Sequence, residues 1–399
     1  MSFYKTYTDI SNEFRVAKTT VTRWVEGALE GKNNLQIERS DKKVEVLKNE
    51  HNFLEMTKLK AEGSKYRGNA IVKETEPSQL FYDTFSDEEV IEIIHSLEIK
   101  KEVPRKYCYR RVGAELWDKF ILDNEPIGKY PTGEKLKTLL HESFGYINYK
   151  LRDFTKVNLI DIGPGNAFPV KETIERLIKE NKLNKYIAID ISEEMLDICE
   201  KNIKTWFPQI QFERYLGDAE TVNLSKICFS GHSDGVVNLI LYLGSTIGYH
   251  KNQSKLFDNI HSGIEKNDLF IYSNTIDNEK SRSSFVYAKD PKNLKLHTWI
   301  AEEIGIDIPL IELVATYSEE EQGKLLELKL DKDYTIKFVV GKASKIVNLY
   351  KGDCLRVWRM HMTNMNTFSE AIVNSGMRLS AVLTDKEWTH TMVISEPIS

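Results

Sequence analysis

In the middle of the chain, apolar runs of strand length alternate with stretches of helical period. VNLIDIG, YIAIDIS, GVVNLILYLGS and DLFIYSNTI are nearly unbroken apolar runs, and IQFERYLGDAE is a fifth segment of strand length. After the first run, PGNAFPVKETIERLIKEN puts Val170, Ile174, Leu177 and Ile178 on one face of a helix. EEMLDICEKNIKTWF and SKLFDNIHSGI read as further helices. Strands alternating with helices predict an α/β fold, a doubly wound Rossmann-like parallel sheet. Ligands in such sheets lie at the carboxyl ends of the strands. Here those ends carry Asp161, Asp190, Asp218 and the small residues of LYLGSTIGYH.

The first 75 residues follow another pattern. YTDISNEFRVAKTTVTRWVEGAL fits two short helices, with Ile10, Phe14 and Val16 facing inward from the first and Val21, Trp24 and Val25 from the second. Ala17 and Lys18 make the turn, and Thr19 or Thr20 caps the second helix. NLQIERSDKKVEVL alternates around a polar SDKK turn as a hairpin wing does, and KNEHNFLEMTKLKAEG supplies a closing helix. The arrangement resembles small winged or excisionase-like helix-turn-helix domains. That resemblance implies DNA contact through Lys18, Thr19, Thr20, Thr22 and Arg23. A three-helix module that docks a protein partner is the competing reading.

KYRGNAIVKETEPSQ reads as a linker, without periodicity. SDEEVIEIIHSLEIKK follows as a helix opened by a capping box, Ser86 to Glu89. Residues 105–145 are helical again around the break NEPIGKYPTGE.

Charge and cysteine usage narrow the class. The 399 residues allow more than one domain. A net charge of −5 argues against a chain coated in basic surface for nonspecific nucleic-acid binding, although residues 1–75 alone hold 14 Lys/Arg against 11 Asp/Glu. No apolar run approaches the ~20 residues of a membrane span, and MSFYKTYTDISNEF lacks the apolar core of a signal peptide. A cytoplasmic location away from membranes is expected. Cys108, Cys199, Cys228 and Cys354 form no CxxC pair, so neither a metal site nor a disulfide framework is expected.

The chemistry is carried by the order of acids and glycines. DIGPGNA has Gly163 and Gly165 but Phe168 where a dinucleotide fingerprint wants its third glycine. Asp190, at the end of the second strand, can accept both hydroxyls of a ribose, and Asp218, at the end of the third, can accept an adenine amine. That order matches sites for S-adenosylmethionine (SAM). Such a site has no pyrophosphate to cradle, while glycines still let the backbone approach the amino-acid part of the ligand. An NAD-type site or a structural turn is the alternative.

The motifs then narrow further. YRRVGAELWDKF followed by KYPTGEKLKTLL is similar to an aromatic, G-x-x-L-F, then Y-Y-P-T-R-x-E in the histidine-specific methyltransferase family. LYLGSTIGYH is similar to that family's L-G-S-T-I-G-N-F. YSEEEQGKLLELKL and YKGDCLRVWRMHM with FSEAIVNSGMRLSAVLTDKEW follow its carboxyl half in order. The resemblance spans roughly residues 78–397 and implies a class I methyltransferase fold, with a SAM core over 146–280 and 363–399. A second, α+β substrate domain would come from 76–145 and 281–362. It implies that Asp161, Gly163, Gly165, Asp190, Asp218, Gly244 and Ser245 line SAM and that Tyr109 closes over its methionine end.

The substrate positions depart from the family. Its tyrosine on the histidine ligand corresponds to Lys129, its backbone-gripping asparagine to Tyr249, and its imidazole-reading glutamate and serine to Trp358 and Met360. A pocket built to read a polar ring cannot do so through tryptophan and methionine. The expected reaction is N-methylation of a small amine or amino-acid-like metabolite other than free histidine. Tyr249, His361 and Asp277 are the candidates for handling the acceptor's proton. A nucleic-acid methyltransferase, or a SAM-sensing DNA-binding regulator, is the rival from another class.

Overall fold

A computed structural model of the chain describes all residues except 1–6, 15–17, 30–34, 41–42, 50, 54, 58–71, 125, 127–130, 230–233, 245, 251–252, 284–290, 309–310 and 399. Two compact units meet in sequence between Lys73 and Glu74.

In the first unit, helices Tyr7–Phe14 and Lys18–Leu29 precede an antiparallel hairpin, β1 (Ile37–Ser40) and β2 (Lys43–Val46), with Ile37 opposite Val46. Ile10, Val21, Trp24, Val25, Leu35, Val46 and Met56 form its core. Residues 51–53 and 55–57 are helical, and buried Asn52 ties them to the hairpin. Its side chain accepts from the Gln36 amide at 2.7 Å and donates to the Gln36 and Leu47 carbonyls at 2.7 and 2.8 Å. Among the expected DNA-contacting residues, Thr22 is half-buried. The side chains of Phe14, Lys18, Thr19, Thr20 and Arg23, and all of Val16, lie outside the described residues.

A strand, β3 (Val72–Thr75), occupies part of the segment that reads as a linker. Four residues with one exposed edge are too short to show a period, so pairing with a neighbour decides the conformation.

The second unit is built on β4 (Lys156–Ile162), β5 (Leu183–Asp190), β6 (Gln211–Leu216), β7 (Val236–Tyr242) and β8 (Leu269–Thr275), all parallel. Strands β9 (Glu312–Ser318), β10 (Gly323–Lys329), β11 (Asp333–Val340), β12 (Ala343–Leu349) and β13 (Cys354–His361) belong to smaller sheets. β14 (Met377–Thr384) and β15 (His390–Pro397) return to the large one, whose order is β14-β15-β8-β7-β4-β5-β6. The sequence reading contains neither of these last two strands. β15 runs antiparallel to both β8 and β14, which makes the sheet mixed.

The central strands read as continuous apolar runs because both faces are covered. Val157, Leu159, Tyr186, Leu239 and Ile271 pack under helices Pro131–Lys150, Lys171–Lys179 and Glu193–Trp206. Ile160, Ile187, Ile240 and Phe270 pack under helices Leu224–Phe229 and Gln253–Gly263. Pro131–Lys150 is one helix that crosses the domain boundary expected at 145. Its buried Leu139, Leu140, Phe144 and Ile147 join the sheet's core.

A separate core combines helices Gln79–Thr84, Asp87–Lys100 and Pro291–Glu303 with two three-stranded sheets, β13-β10-β9 and β12-β11-β3. Phe81, Leu97, Trp299, Leu326, Phe338 and Leu355 are buried there. The capping box at Ser86 is formed, with the Ser86 amide donating to Glu89 at 2.9 Å and the Glu89 amide donating to the Ser86 hydroxyl at 3.3 Å.

Candidate functional site

The carboxyl ends of β4, β5 and β7, and the turn after β6, open into one cavity of about 460 Å³, within the ~300–1,000 Å³ typical of small-molecule sites. Tyr109, Asp161, Gly163, Gly165, Asp190, Asp218, Gly244 and Tyr249 all line it. Ser245 and Lys129 lie outside the described residues.

Each acid is held by its local turn. Asp190 ends β5 and accepts from the Ser192 amide at 2.9 Å. Burial pushes its carboxyl up to about 7, against the pull of the Ser192 and Ile191 amides. Asp161 accepts from the Tyr186 hydroxyl at 2.7 Å. Burial first, and the Asp190 charge after it, raise Asp161 to about 7 as well. Asp218 follows Gly217, whose amide donates to the Asp190 carbonyl at 2.8 Å, and its carboxylate accepts from the Glu220 amide at 2.9 Å.

Gly163 has a φ of +63° and Gly165 one of +57°. This backbone needs glycine, and a Cβ on Gly163 would stand 3.3 Å from the Thr246 methyl. The turn thus exposes main chain to the cavity beside Asp161. These features suit an adenosyl ligand with an amino-acid tail: carboxylates for ribose hydroxyls and an amine, and a side-chain-free wall for the tail.

Another part of the wall is aromatic. The 3-10 turn Arg105–Tyr109 and the 3-10 turn Thr246–Tyr249 bring the Tyr109 and Tyr249 hydroxyls within 3.1 Å of each other. Trp117 meets Tyr109 edge-on at 5.8 Å. The buried Arg105 guanidinium lies beside both tyrosine rings, 4.6 and 4.8 Å from their centroids. Gly248 passes so close to β13 that a Cβ would sit 2.4 Å from the His361 carbonyl.

Four sequence candidates lie off the large cavity. Asp277 is held by Arg282 at 2.7 Å and by the Tyr317 hydroxyl at 2.8 Å. Against the upward push of burial, these bonds keep its carboxyl below the ordinary value. With Lys324, His361 and Met360 line a second cavity of about 300 Å³, which shares Tyr249, His250 and Arg359 with the first. Burial lowers the Lys324 ammonium to about 8. Trp358 is buried with its ring 5.9 Å from that of His297.

The sequence reading assigns no role to Arg105, Trp117, Glu220 or His250, yet all four line the large cavity. His250 bonds Glu220 at 2.6 Å and the Tyr242 hydroxyl. Three of them lie in segments the sequence singles out, Trp117 in YRRVGAELWDKF, Glu220 at the end of IQFERYLGDAE and His250 at the end of LYLGSTIGYH, whereas Arg105 carried no signal. Among the described residues, no group of three or more His, Cys, Asp or Glu is placed to hold a metal ion. None of the described helices is long and apolar enough to cross a membrane.

A family described as "Histidine-specific methyltransferase, SAM-dependent" matches residues 87–396. No curated protein matches the chain. Similar solved structures include an S-adenosylmethionine-dependent methyltransferase from Clostridium acetobutylicum, at 8% identity over 65% of this chain and 90% of that one with a TM-score of 0.38. Another is the CcbJ methyltransferase from Streptomyces caelestis, at 11% identity over 63% and 90% with a TM-score of 0.35. A third is a methyltransferase described as putative from Listeria monocytogenes, at 14% identity over 64% and 96% with a TM-score of 0.33.

Proposed function

The chain belongs to the histidine-specific, SAM-dependent methyltransferase family, and from that premise we propose that it methylates a nitrogen of a small amine or amino-acid-like metabolite other than free histidine. The observation that carries the site assignment is the convergence of Asp190, Asp218 and the Gly163–Gly165 turn on one cavity.

In this reading, Asp190 accepts the ribose hydroxyls and Asp218 the adenine amine. Gly163, Gly165 and Gly244 let the main chain approach the methionine part, and Tyr109 closes over it. The cofactor supplies a methyl group on a sulfonium. The chain's residues supply proximity and alignment, the main catalytic need of an in-line displacement. A nitrogen acceptor must be neutral, and the aromatic wall of Tyr109, Trp117 and Tyr249 supports that by excluding water. Tyr249 faces both cavities and is the residue we assign to the acceptor; His361 and Asp277 lie off the large cavity and drop out of the proposal.

We exclude free histidine on the residue correspondences: Trp358 and Met360 stand where the family reads imidazole and lie off the large cavity, and Tyr249, which lines it, stands where the family's asparagine grips the amino-acid backbone. Losing designed hydrogen-bond partners costs selectivity of several orders of magnitude. We read 146–280 with 363–399 as the cofactor core, joined by the whole of helix Pro131–Lys150, and the rest of 76–145 with 281–362 as the substrate domain. For residues 1–73, two helices and a hairpin around one core support a DNA- or protein-contacting role as a second reading.

Isothermal titration with SAM tests the cofactor assignment. Binding is expected for the native chain and none for Asp190→Ala, and unchanged affinity in that variant would sink the assignment. Labelled methyl transfer into a metabolite extract tests the acceptor class. A gel shift with genomic fragments at low salt tests the second reading, which fails if no fragment is retarded.

A further inference from the structure

We infer that Arg105, together with Tyr109 and Tyr249, forms a carboxylate-binding site in the wall of the large cavity. The identity of that carboxylate rests on the methyltransferase reading: it belongs either to the methionine end of SAM or to the acceptor.

Arg105 is only 5% exposed and lines the cavity. Its Nη1 lies 3.1 Å from His297 Nδ1. Its Nη2 donates to the Tyr109 hydroxyl and, at 3.5 Å, to that of Tyr249. Its Nε has no hydrogen-bond partner among the described residues. None of these partners carries negative charge. Burial, and then the Arg105 charge, hold the His297 ring well below its ordinary value, so it is neutral. Burial raises the Tyr109 phenol well above its ordinary value, so it stays protonated.

The carboxylates elsewhere on the cavity wall are engaged. Glu92 binds Lys106 at 2.8 Å, Glu102 binds Arg359 at 3.2 Å, and Glu220 binds His250 at 2.6 Å. A guanidinium presents five donors and always carries charge. Here it is buried, with its Nε unmet and no described carboxylate paired to it. Burying an uncompensated charge is unfavourable, and a ligand carboxylate relieves the deficit through the geometry that suits it best. The Tyr109 hydroxyl donates to that of Tyr249 at 3.1 Å, and the Tyr249 hydroxyl adds one more polar hydrogen beside it. A multiply charged phosphate suits the cavity less well, because Asp161, Asp190 and Asp218 share it.

The test compares the native chain with Arg105→Gln by isothermal titration. The ligands are SAM, S-adenosylhomocysteine and 5′-methylthioadenosine, which lacks the amino-acid tail. A second arm titrates acetate against chloride at equal ionic strength into the S-adenosylhomocysteine complex, or into the free protein if no adenosyl ligand binds. It is read by tryptophan emission, for which Trp117 stands 5.8 Å from Tyr109.

If SAM carries the carboxylate, Arg105→Gln weakens SAM and S-adenosylhomocysteine about ten- to a hundredfold, as expected for lost charge-assisted bonds, and leaves 5′-methylthioadenosine unchanged. If the acceptor carries it, SAM is unchanged and the native response to acetate disappears in the variant. Arg105→Lys recovers part of either effect and serves as the comparison should Arg105→Gln fail to fold. The inference is overturned if the variant matches the native chain in both arms. Equal weakening of SAM and 5′-methylthioadenosine also overturns it, since that marks a packing role. Native protein that binds no adenosyl ligand defeats the methyltransferase reading, and the acetate arm then still judges Arg105.

Discussion

The Ser192 hydroxyl donates to the Tyr109 carbonyl at 2.7 Å. Ser192 also caps helix Glu193–Trp206, accepting from the Met195 amide at 3.2 Å, and its own amide donates to Asp190. One residue, through its amide and its hydroxyl, therefore fixes the strand end that carries Asp190 to the turn that carries Arg105 and Tyr109.

Ser192→Ala removes both the cap and the tie. Loss of the cap is expected to cost about 0.5–2 kcal/mol of stability, measured by urea unfolding. SAM affinity is expected to fall several-fold by titration. Lower stability with undiminished affinity would show that the tie does not position the cofactor.

The raised carboxyl of Asp190 makes the cofactor-free protein sensitive to pH. Its folded value of about 7 lies above the 3.8 of an ordinary aspartate, so the folded form holds an extra proton between the two. The stability it contributes is complete below about 4 and is lost as pH rises through about 7. Asp190→Asn should therefore raise the melting temperature at pH 8 and have much less effect at pH 4.5. An equal gain at both values would remove ionisation as the cause. SAM affinity in the native chain should increase from pH 6 to 8 if the ionised carboxylate accepts the ribose hydroxyls, and a flat profile would count against that role.

Gly163→Ala places a Cβ on backbone at φ +63°, 3.3 Å from the Thr246 methyl. A left-handed non-glycine residue costs about 1–2 kcal/mol, and the new methyl narrows the approach to the cavity. Thermal unfolding should show the loss, and SAM titration should show weaker binding. A variant as stable and as tightly binding as the native chain would mean that the turn yields freely.

Much of this was readable from residue order, and the rest for specific reasons was not. The parallel strands are legible because both faces are buried. β15 is not: Ser395 and Glu396 are buried in it through bonds to the Phe270 carbonyl at 3.3 Å and to Lys150 at 2.7 Å, and polar residues satisfied by distant partners look like loop. Helix Leu224–Phe229 has six residues, too few for a period. At the site, acids ending strands mark themselves by position. Arg105 is one of 55 Lys/Arg in the chain, and only its burial between two tyrosines sets it apart. Asp277 shares the strand-end position but is taken by Arg282 and Tyr317, partners that strand order does not reveal.

Free histidine should not be methylated by the native chain when incubated with labelled SAM. Trp358 and Met360, at the positions where the family reads imidazole, do not line the large cavity, and Tyr249 replaces the asparagine that grips the amino-acid backbone. Transfer to histidine as fast as to the best acceptor found in an extract would overturn that exclusion.

Tyr249 lines both the 460 Å³ cavity and the 300 Å³ cavity beyond it. It shares that position with His250 and Arg359, which also line both, so its ring is the aromatic part of a party wall built from three of the described residues. Tyr249→Ala would remove the aromatic part of that wall and enlarge the space beside an acceptor. The expected outcome is an enzyme that accepts bulkier amines and distinguishes among them less well, read as a broader product range in the same labelled extract.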